Sequence, residues 1–456
     1  MRNFLVGGFL RDLFLEEESR DLDFMIEHNA IAVARTFARE IKGAFIVLDQ
    51  EHGCARVAKK HKGRVYTFDF ADFRAASFKK DLLCRDFTVN TLSVDLSAWK
   101  GGPLAENCVD LCGARRDLTD GVIRMISPKA FQQDPLRLLR AFALRAKFGF
   151  SIDRATRAQM KKDRELIRDV SAERVREEIF KILESPRAGV VFKAMDRMGL
   201  LERVIPHIRV MFGIKQGGYH HLDVWPHALE TLRQMEGLIK AFAKDEQMNG
   251  YLQKKIASNH SRKALLKLAC LLHDAGKPET RQREGARIRF HGHEHAGKAV
   301  ACGVARHLKL STRERYALCD MVMLHLRPGY LSNFKRPSQK AFFRYFRDTR
   351  EEAVSIALLA MADQRATCGP MTTEEDARHH DDICRGLIER YFNMQNEEPC
   401  VPLLTGKDLI RILKLKPAPL FSKILKEVEE AQATGKVCTK DQALDIARRF
   451  IKHQAC

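Results

Sequence analysis

The sequence predicts an α+β protein, with a mixed α/β head over residues 1–125 and helical segments over 126–216, 217–370 and 371–456. Three observations predict it. Short runs of β-branched and aromatic residues, bounded by turn residues, are confined to the head. From Pro128 onward apolar residues recur at the spacing of a helix. A chain of 456 residues, 45% of them hydrophobic, has the length for roughly three domains and enough apolar mass for several cores.

In the head, residues 4–6, 22–26, 45–48, 64–70 and 89–95 read as strands, and residues 30–41 as a helix between them. Beyond Pro128, residues 136–148, 155–167, 172–183 and 190–200 read as helices, with almost no strand signal. A Gly-rich break at 216–218 opens a second helical block rich in histidine, and Gly369-Pro370 punctuates its end. The last segment also reads as helical, interrupted at Pro402, Pro417 and Pro419.

Lys and Arg number 79 against 59 Asp and Glu, a net charge of +20. The head and the last segment are balanced, so the surplus lies in 126–370. Such a surplus reads as a surface that tracks phosphates beside a neutral head, with an ordinary solvated helix surface as the alternative. Twelve cysteines without CxxC spacing read as reduced thiols in a cytoplasm. No run approaches the roughly 18 apolar residues of a membrane span, and the N-terminus turns acidic too soon for a signal peptide, so no membrane partner is expected.

The head carries one constellation with chemical meaning. Gly7-Gly8 follow a short apolar strand and precede Phe9-Leu10-Arg11-Asp12. A strand–GG–helix turn offers backbone N–H groups to a phosphate, and Arg11 adds a guanidinium that can fork onto it. Further on lies Asp21-Leu22-Asp23 in an apolar context. Residues two apart on a strand share a face. Two adjacent carboxylates repel, and a pair of Mg²⁺ ions relieves that repulsion while forming a clamp for in-line phosphoryl transfer. A pair of loop aspartates bridged to Arg20 is the plainer reading.

With this spacing, Gly7–Asp12 and Asp21–Asp23 resemble the first motif of the class II tRNA nucleotidyltransferase and bacterial poly(A) polymerase superfamily. The later motifs follow in order. Arg85-Asp86-Phe87-Thr88-Val89-Asn90 resembles the second, which in the family holds ribose and triphosphate. Val109-Asp110-Leu111-Cys112-Gly113, with Asp117 and Gly121–Arg124, resembles the hinge motif. Gln133-Asp134-Pro135-Leu136-Arg137-Leu138-Leu139-Arg140 resembles the base-reading helix, and Ser171–Val175 with Glu177-Glu178 the motif that buttresses it.

The resemblance implies Asp21 and Asp23 as catalytic Mg²⁺ ligands. It implies Gly8, Arg11, Arg85, Asp86, Asn90, Asp134, Arg137 and Arg140 as the nucleotide site. Asp134 and Arg137, three apart, are expected on one helix face, where acceptors and donors together can pair with C or A and reject G and U. The implied activity is template-independent addition of CMP and AMP, from CTP and ATP, to tRNA 3′ ends. A poly(A) polymerase is the first alternative; a phosphohydrolase with an RNA-binding head is the second.

Three positions depart from the family pattern: Gln133 stands for Glu, Cys84 for Arg and Thr91 for Ala. The connection over residues 71–84 is short where full CCA-adding members carry an extended flexible loop, which resembles members that add only the two cytidines. Its Phe73, Phe78, Leu82 and Leu83 read as packed. Asp69 reads either as support for the metal site or as the partner of an arginine.

In the histidine-rich block, His227, His273-Asp274 and Asp363 form an ordered H…HD…D set whose donors suit Mg, Mn, Ni or Fe. The set resembles the HD phosphohydrolase domain, with those four residues at its ligand positions and His293 and His325 at accessory ones. Hydrolysis of phosphate esters on RNA ends is the implied activity.

Overall fold

The computed structural model describes residues 2–217, 221–257, 259–285, 287–367, 369, 371–397 and 401–454; Gly218 and Pro370, read above as punctuation, lie outside them. The chain forms two compact units, Met1–Pro206 and His207–Cys456.

The first unit is built on a six-stranded sheet of β1 (Asn3–Val6), β2 (Asp21–Ile26), β3 (Ala44–Asp49), β4 (Cys54–His61), β5 (Arg64–Asp72) and β6 (Ser93–Asp95), in the spatial order β3-β4-β5-β2-β1-β6. Within this sheet only β2 and β5 pair in parallel. Two helices pack on it, α1 (Gly8–Phe14) beside β1 and β2 and α2 (Ala30–Ile41) over β3, β4 and β5. Ala30, Ala34 and Ala38 recur every fourth residue, so one stripe of small side chains lies against Ile26, Ala55, Val57 and Phe70 of the sheet.

Two expectations in the head are corrected. Strand β4 went unread because Lys59, Lys60 and His61 make its end look like a loop, yet Ala55 and Val57 alternate inward and are fully buried. Residues 89–95 do not form one strand. Thr88–Asn90 is a 3₁₀ turn, held by the Thr91 hydroxyl on the Thr88 carbonyl (2.7 Å) and the Asn90 amide on Asp86 (2.9 Å). Such local side-chain bonds compete with the sheet ladder, which resumes only at Ser93.

The helices of 126–206 follow the predicted pattern. Arg137–Phe148 packs on Ala172–Glu184, with Leu138, Leu139, Phe142, Ile179 and Leu183 between them buried. The predicted helix over 155–167 tightens to a 3₁₀ turn from Arg164 onward.

In the second unit, helix Ala353–Ala366 is central. Every residue from Ala353 to Ala362 is buried, as expected of a helix apolar on all sides. Helices Val224–Ala241, Arg262–Leu272 and Glu374–Asn396 pack around it. Two short hairpins, Lys255–Ala257 with His260–Ser261 and Gln282–Glu284 with Arg287–Arg289, add strands that the helical pattern did not announce. The thiol expectation is corrected at one pair. Cys302 and Cys319, on the adjacent helices His293–His307 and Thr312–Leu324, form a disulfide with Cα atoms 5.9 Å apart. Cys54, Cys84, Cys108, Cys112, Cys270, Cys384 and Cys438 are free.

The C-terminal helices Leu420–Ala433 and Lys440–Gln454 have their own core around Leu409, Ile424, Val428 and Ala443. Buried Glu430 ties them to helix Gln339–Thr349 by accepting from Lys340 (2.5 Å) and Arg344 (2.6 Å). Among the described residues no helix is long and apolar enough to cross a membrane.

Candidate active site and candidate metal centre

In the head, the parallel register of β2 and β5 sets Asp21 beside Thr67 and Asp23 beside Asp69, while β1 sets Val6 beside Asp23. The Thr67 hydroxyl bonds the Asp21 carboxylate. Both oxygens of Asp69 are taken by Arg56, through Nε and Nη2 at 2.7 Å, so the arginine pairing describes Asp69. Arg56 was missed in the sequence because its strand was. Burial pushes the Asp23 carboxyl above its ordinary value; Arg85 opposes the rise, and Asp69 and Asp21 add to it. A crowded, desolvated carboxylate facing a second one is a hard-oxygen donor set that a divalent cation stabilises.

Around the carboxylates runs a chain of paired groups. Gly7 links β1 to α1 at φ 84°, and a Cβ there would stand 2.8 Å from Arg85 Nη1 and 3.0 Å from Asp23 Oδ2. Its N–H is used on the Leu92 carbonyl (3.1 Å), while Gly8 opens α1. Arg11 is buried and engaged within the protein: Nε donates to Asp12 (2.7 Å), Nη1 donates to Asn90 Oδ1 (2.6 Å), and the guanidinium lies over Phe148. Asn90 passes the contact to Asp86, and Arg140 stands between Asp86 (3.7 Å) and buried Glu178 (3.9 Å). Burial lowers the pKa of the Arg85 guanidinium, against the pull of Asp23 and Asp86. Gly7→Ala is therefore expected to displace Arg85 from Asp23. It should cost about 1–3 kcal/mol of stability through backbone strain. Thermal melts check this; an unchanged melting temperature would show that the turn accepts a Cβ.

The pair expected to read the base, Asp134 and Arg137, differs from its expected arrangement. Asp134 has an extended backbone after the short helix Ala130–Gln133, and the long helix starts only at Arg137. Pro135 lies between them and breaks the helical run, so the pair does not share a helix face. Asp134 pairs with Arg174 Nη2 at 3.0 Å. Arg137 is buried, with Nη1 on the carbonyl of Ala130 (3.1 Å) and on Gln133 Oε1 (3.3 Å), and Nη2 on the carbonyl of Cys84 (2.6 Å).

In the second unit, the predicted set comes together. Helix Val224–Ala241 supplies His227, the end of Arg262–Leu272 supplies His273 and Asp274, and Ala353–Ala366 supplies Asp363. His227 Nε2 lies 2.8 Å from Asp363, and His273 Nε2 lies 3.2 Å from Asp274 and 3.5 Å from Asp363. His293 and His325 join through their Nε2 atoms, 3.3 Å apart, with His293 at 3.4 Å from Asp274. The Nδ1 atoms of His273, His293 and His325 donate to the carbonyls of Cys270, Phe290 and Val322 at 2.7–2.9 Å. That fixes Nε2 as the atom facing the site, the usual device for orienting a metal-ligating imidazole. The six residues form two groups, His227/His273/Asp363 and Asp274/His293/His325, each with ligand atoms within 4.8 Å of one another. His291 and His295, neighbours in sequence, are exposed and stay outside.

Burial would lower the His273 pKa, but Asp274 and Asp363 outweigh it and raise it to about 10. The carboxylates are thus arranged to hold positive charge at this point. Gly276 lets two backbones meet: a Cβ there would overlap the His293 carbonyl and the Gly297 N–H at 2.0 and 2.3 Å. Lys277 was not assigned from sequence. Its buried ammonium donates to Asp274 Oδ2 and to Gln216 Oε1, both at 2.6 Å. Its place three residues after Asp274, at a helix end, was the available signal.

Comparisons with known proteins match families in both units. Residues 3–124 match the poly A polymerase head domain, 149–211 the probable RNA and SrmB-binding site of polymerase A, 225–366 the HD domain, and 394–447 the putative tRNA nucleotidyltransferase domain 2. The molecule is of the class that joins a nucleotidyltransferase head to an HD domain. An A-adding tRNA nucleotidyltransferase of Deinococcus radiodurans is 31% identical, covering 98% of this chain and 95% of its own. A CC-adding tRNA nucleotidyltransferase of Thermus thermophilus is 29% identical, over 96% and 92%. The chain belongs to the tRNA nucleotidyltransferase family and is a nucleotidyltransferase. Its fold also resembles the Thermotoga maritima CCA-adding enzyme solved with tRNA, with a TM-score of 0.60 at 18% identity over 99% of this chain and 91% of that one. A tRNA-processing enzyme solved with CTP gives a TM-score of 0.61 at 22% identity, over 95% and 96%.

Proposed function

We propose that this enzyme adds cytidines, from CTP, to the 3′ end of tRNA and stops before the terminal adenosine. The observation that carries this reading is the packed, short connection between β5 and Arg85. Strand β5 extends to Asp72, so only residues 73–77 precede the helix Phe78–Leu82. Phe78 stacks on Phe4 with ring centroids 3.7 Å apart, Leu82 is fully buried, and the Asp81 carboxylate accepts from the Arg74 N–H (2.5 Å). Leu83, expected to pack, is 47% exposed. The connection then delivers the Cys84 carbonyl to Arg137. A larger purine needs Arg137 to move relative to the bound base, and a short connection anchored at Phe78, Asp81 and Leu82 gives it little slack. Both an A-adding and a CC-adding enzyme are among the relatives, so the nucleotide is decided by assay. On a tRNA ending in CC, ATP alone should support A addition at least about tenfold more slowly than CTP supports C addition on a tRNA lacking CCA. Comparable rates would overturn the cytidine-only reading.

In the reaction, the tRNA 3′-oxygen bonds to the α-phosphorus of CTP, the α–β bridging P–O bond breaks, and pyrophosphate leaves. Asp21 and Asp23 would hold Mg²⁺, which supplies charge neutralisation at the phosphates and acidifies the attacking hydroxyl. Arg85, Asp86 and Asn90 place the ribose and triphosphate, with Gly8 and Arg11 fixing the turn beneath them and Arg140 reaching in from helix Arg137–Phe148. Asp134 trades Arg174 for the cytosine amino group, and Arg137 donates to the ring. We assign catalysis to 1–125, base reading to 126–216, metal-dependent phosphate-ester hydrolysis to 217–370 through His227, His273, Asp274 and Asp363, and tRNA contacts to the basic stretch 126–370, with 371–456 as a closing helical tail.

A further inference from the structure

We propose that Tyr330 and Phe334 form a platform on which the terminal base of a single-stranded RNA end stacks while its phosphate lies at the histidine–aspartate site. The proposal rests on reading that site as a phosphohydrolase and names what it recognises.

His325 closes helix Thr312–Leu324, and after Leu326 the chain turns into the short helix Arg327–Ser332. This helix packs on Ala353–Ala366, which carries Asp363, and on Glu374–Asn396. Its Pro328 and Leu331 are buried against them. Tyr330 and Phe334, four residues apart, are left 53% and 61% exposed. The backbone that carries them is held. The Tyr330 N–H bonds the Leu326 carbonyl (3.0 Å) and the Phe334 N–H the Leu331 carbonyl (3.2 Å). The Phe334 carbonyl accepts from His379 Nε2 (3.1 Å).

Tyr330 stands five residues after His325, on the turn that its N–H closes onto the Leu326 carbonyl. Beside it Lys335 and Arg336 are exposed and, among the described residues, without ion-pair partners. Arg327 is tied to Asp348 at 3.1 Å.

Two exposed aromatic faces with unpaired cations next to them suit a nucleic-acid single strand, in which bases stack on rings and cations follow the backbone. A protein partner would call for a wider apolar surface with fewer cations. The aromatic faces read base, the cations read the next phosphates, and the metal-ligating set receives the terminal phosphate ester.

The test compares a short oligoribonucleotide ending in a 3′-phosphate with p-nitrophenyl phosphate, which has no base, and with uridine 3′-monophosphate. Replacing both residues by alanine (Tyr330→Ala with Phe334→Ala) should raise KM for the oligoribonucleotide by about tenfold or more and leave p-nitrophenyl phosphate hydrolysis unchanged. Tyr330→Phe with Phe334→Tyr should restore the wild-type KM. Lys335→Ala with Arg336→Ala should weaken the oligoribonucleotide and not the mononucleotide. An unchanged KM for the oligoribonucleotide, or an equal loss with p-nitrophenyl phosphate, would overturn the platform; equal effects of the lysine–arginine pair on RNA and mononucleotide would make the ligand a free nucleotide and overturn the RNA end. If the wild type hydrolyses none of the three, the hydrolase reading fails. The platform is then decided by quenching of an oligoribonucleotide ending in 2-aminopurine: quenching lost in the double alanine variant supports it, and quenching retained removes it.

Discussion

Replacing Asp21 or Asp23 by alanine is expected to reduce CMP incorporation into tRNA by about a thousandfold or more, several kcal/mol of transition-state stabilisation. One carboxylate cannot hold the ions that two adjacent ones hold. The fold should survive both changes. Asp21 is exposed at the start of β2, and Asp23 is a desolvated carboxylate whose removal relieves crowding with Asp69. A variant that melts at the wild-type temperature and still incorporates CMP at a near wild-type rate would refute the head as the catalytic centre. Asp69→Ala is the informative companion. Its carboxylate is occupied by Arg56 at 2.7 Å, so this variant should lose far less activity than the other two.

The second large effect is expected in the other unit. His273→Ala should abolish phosphate-ester hydrolysis, lower bound transition metal measured by elemental analysis, and leave CMP addition near the wild-type rate, because the two sites lie in separate compact units. Asp274→Asn should do the same with an added cost. It leaves the buried Lys277 ammonium facing a neutral amide, and breaking a buried ion pair in this way costs about 3–5 kcal/mol. Calorimetry should therefore show the second unit of Asp274→Asn melting earlier than that of His273→Ala. Loss of CMP addition in step with hydrolysis in both variants would mean one shared site or a general folding defect.

The sites differ in how much of each was legible. The clustering of the H…HD…D residues was legible, because each lies at or near the end of an apolar helix, and helix packing carries such positions inward together. The paired aspartates were equally legible, since a strand places residues two apart on one face whatever surrounds it. The base-reading pair was misjudged in detail: Pro135, between Asp134 and Arg137, delays the helix and separates them. Arg11 read as a free phosphate ligand, whereas Asp12 and Asn90 occupy it. In both cases the residue was identified and its partner was not.

What the sequence by itself determined was the division into an α/β head and helical remainder and the placing of Asp21 and Asp23 side by side, which follow from period and spacing along a few turns of chain. The order of the motifs and the candidate histidine–aspartate set were read through the resemblance to a family. What only the tertiary structure decided was the set of long-range pairings. Arg56 takes Asp69, Arg174 takes Asp134, the Cys84 carbonyl takes Arg137, Lys277 reaches Gln216, and Cys302 meets Cys319. A charged or polar group has several possible partners, and which one it finds depends on which elements pack beside it. Local pattern places a guanidinium on a strand or helix; only the packed fold brings the oxygen within 3 Å of it.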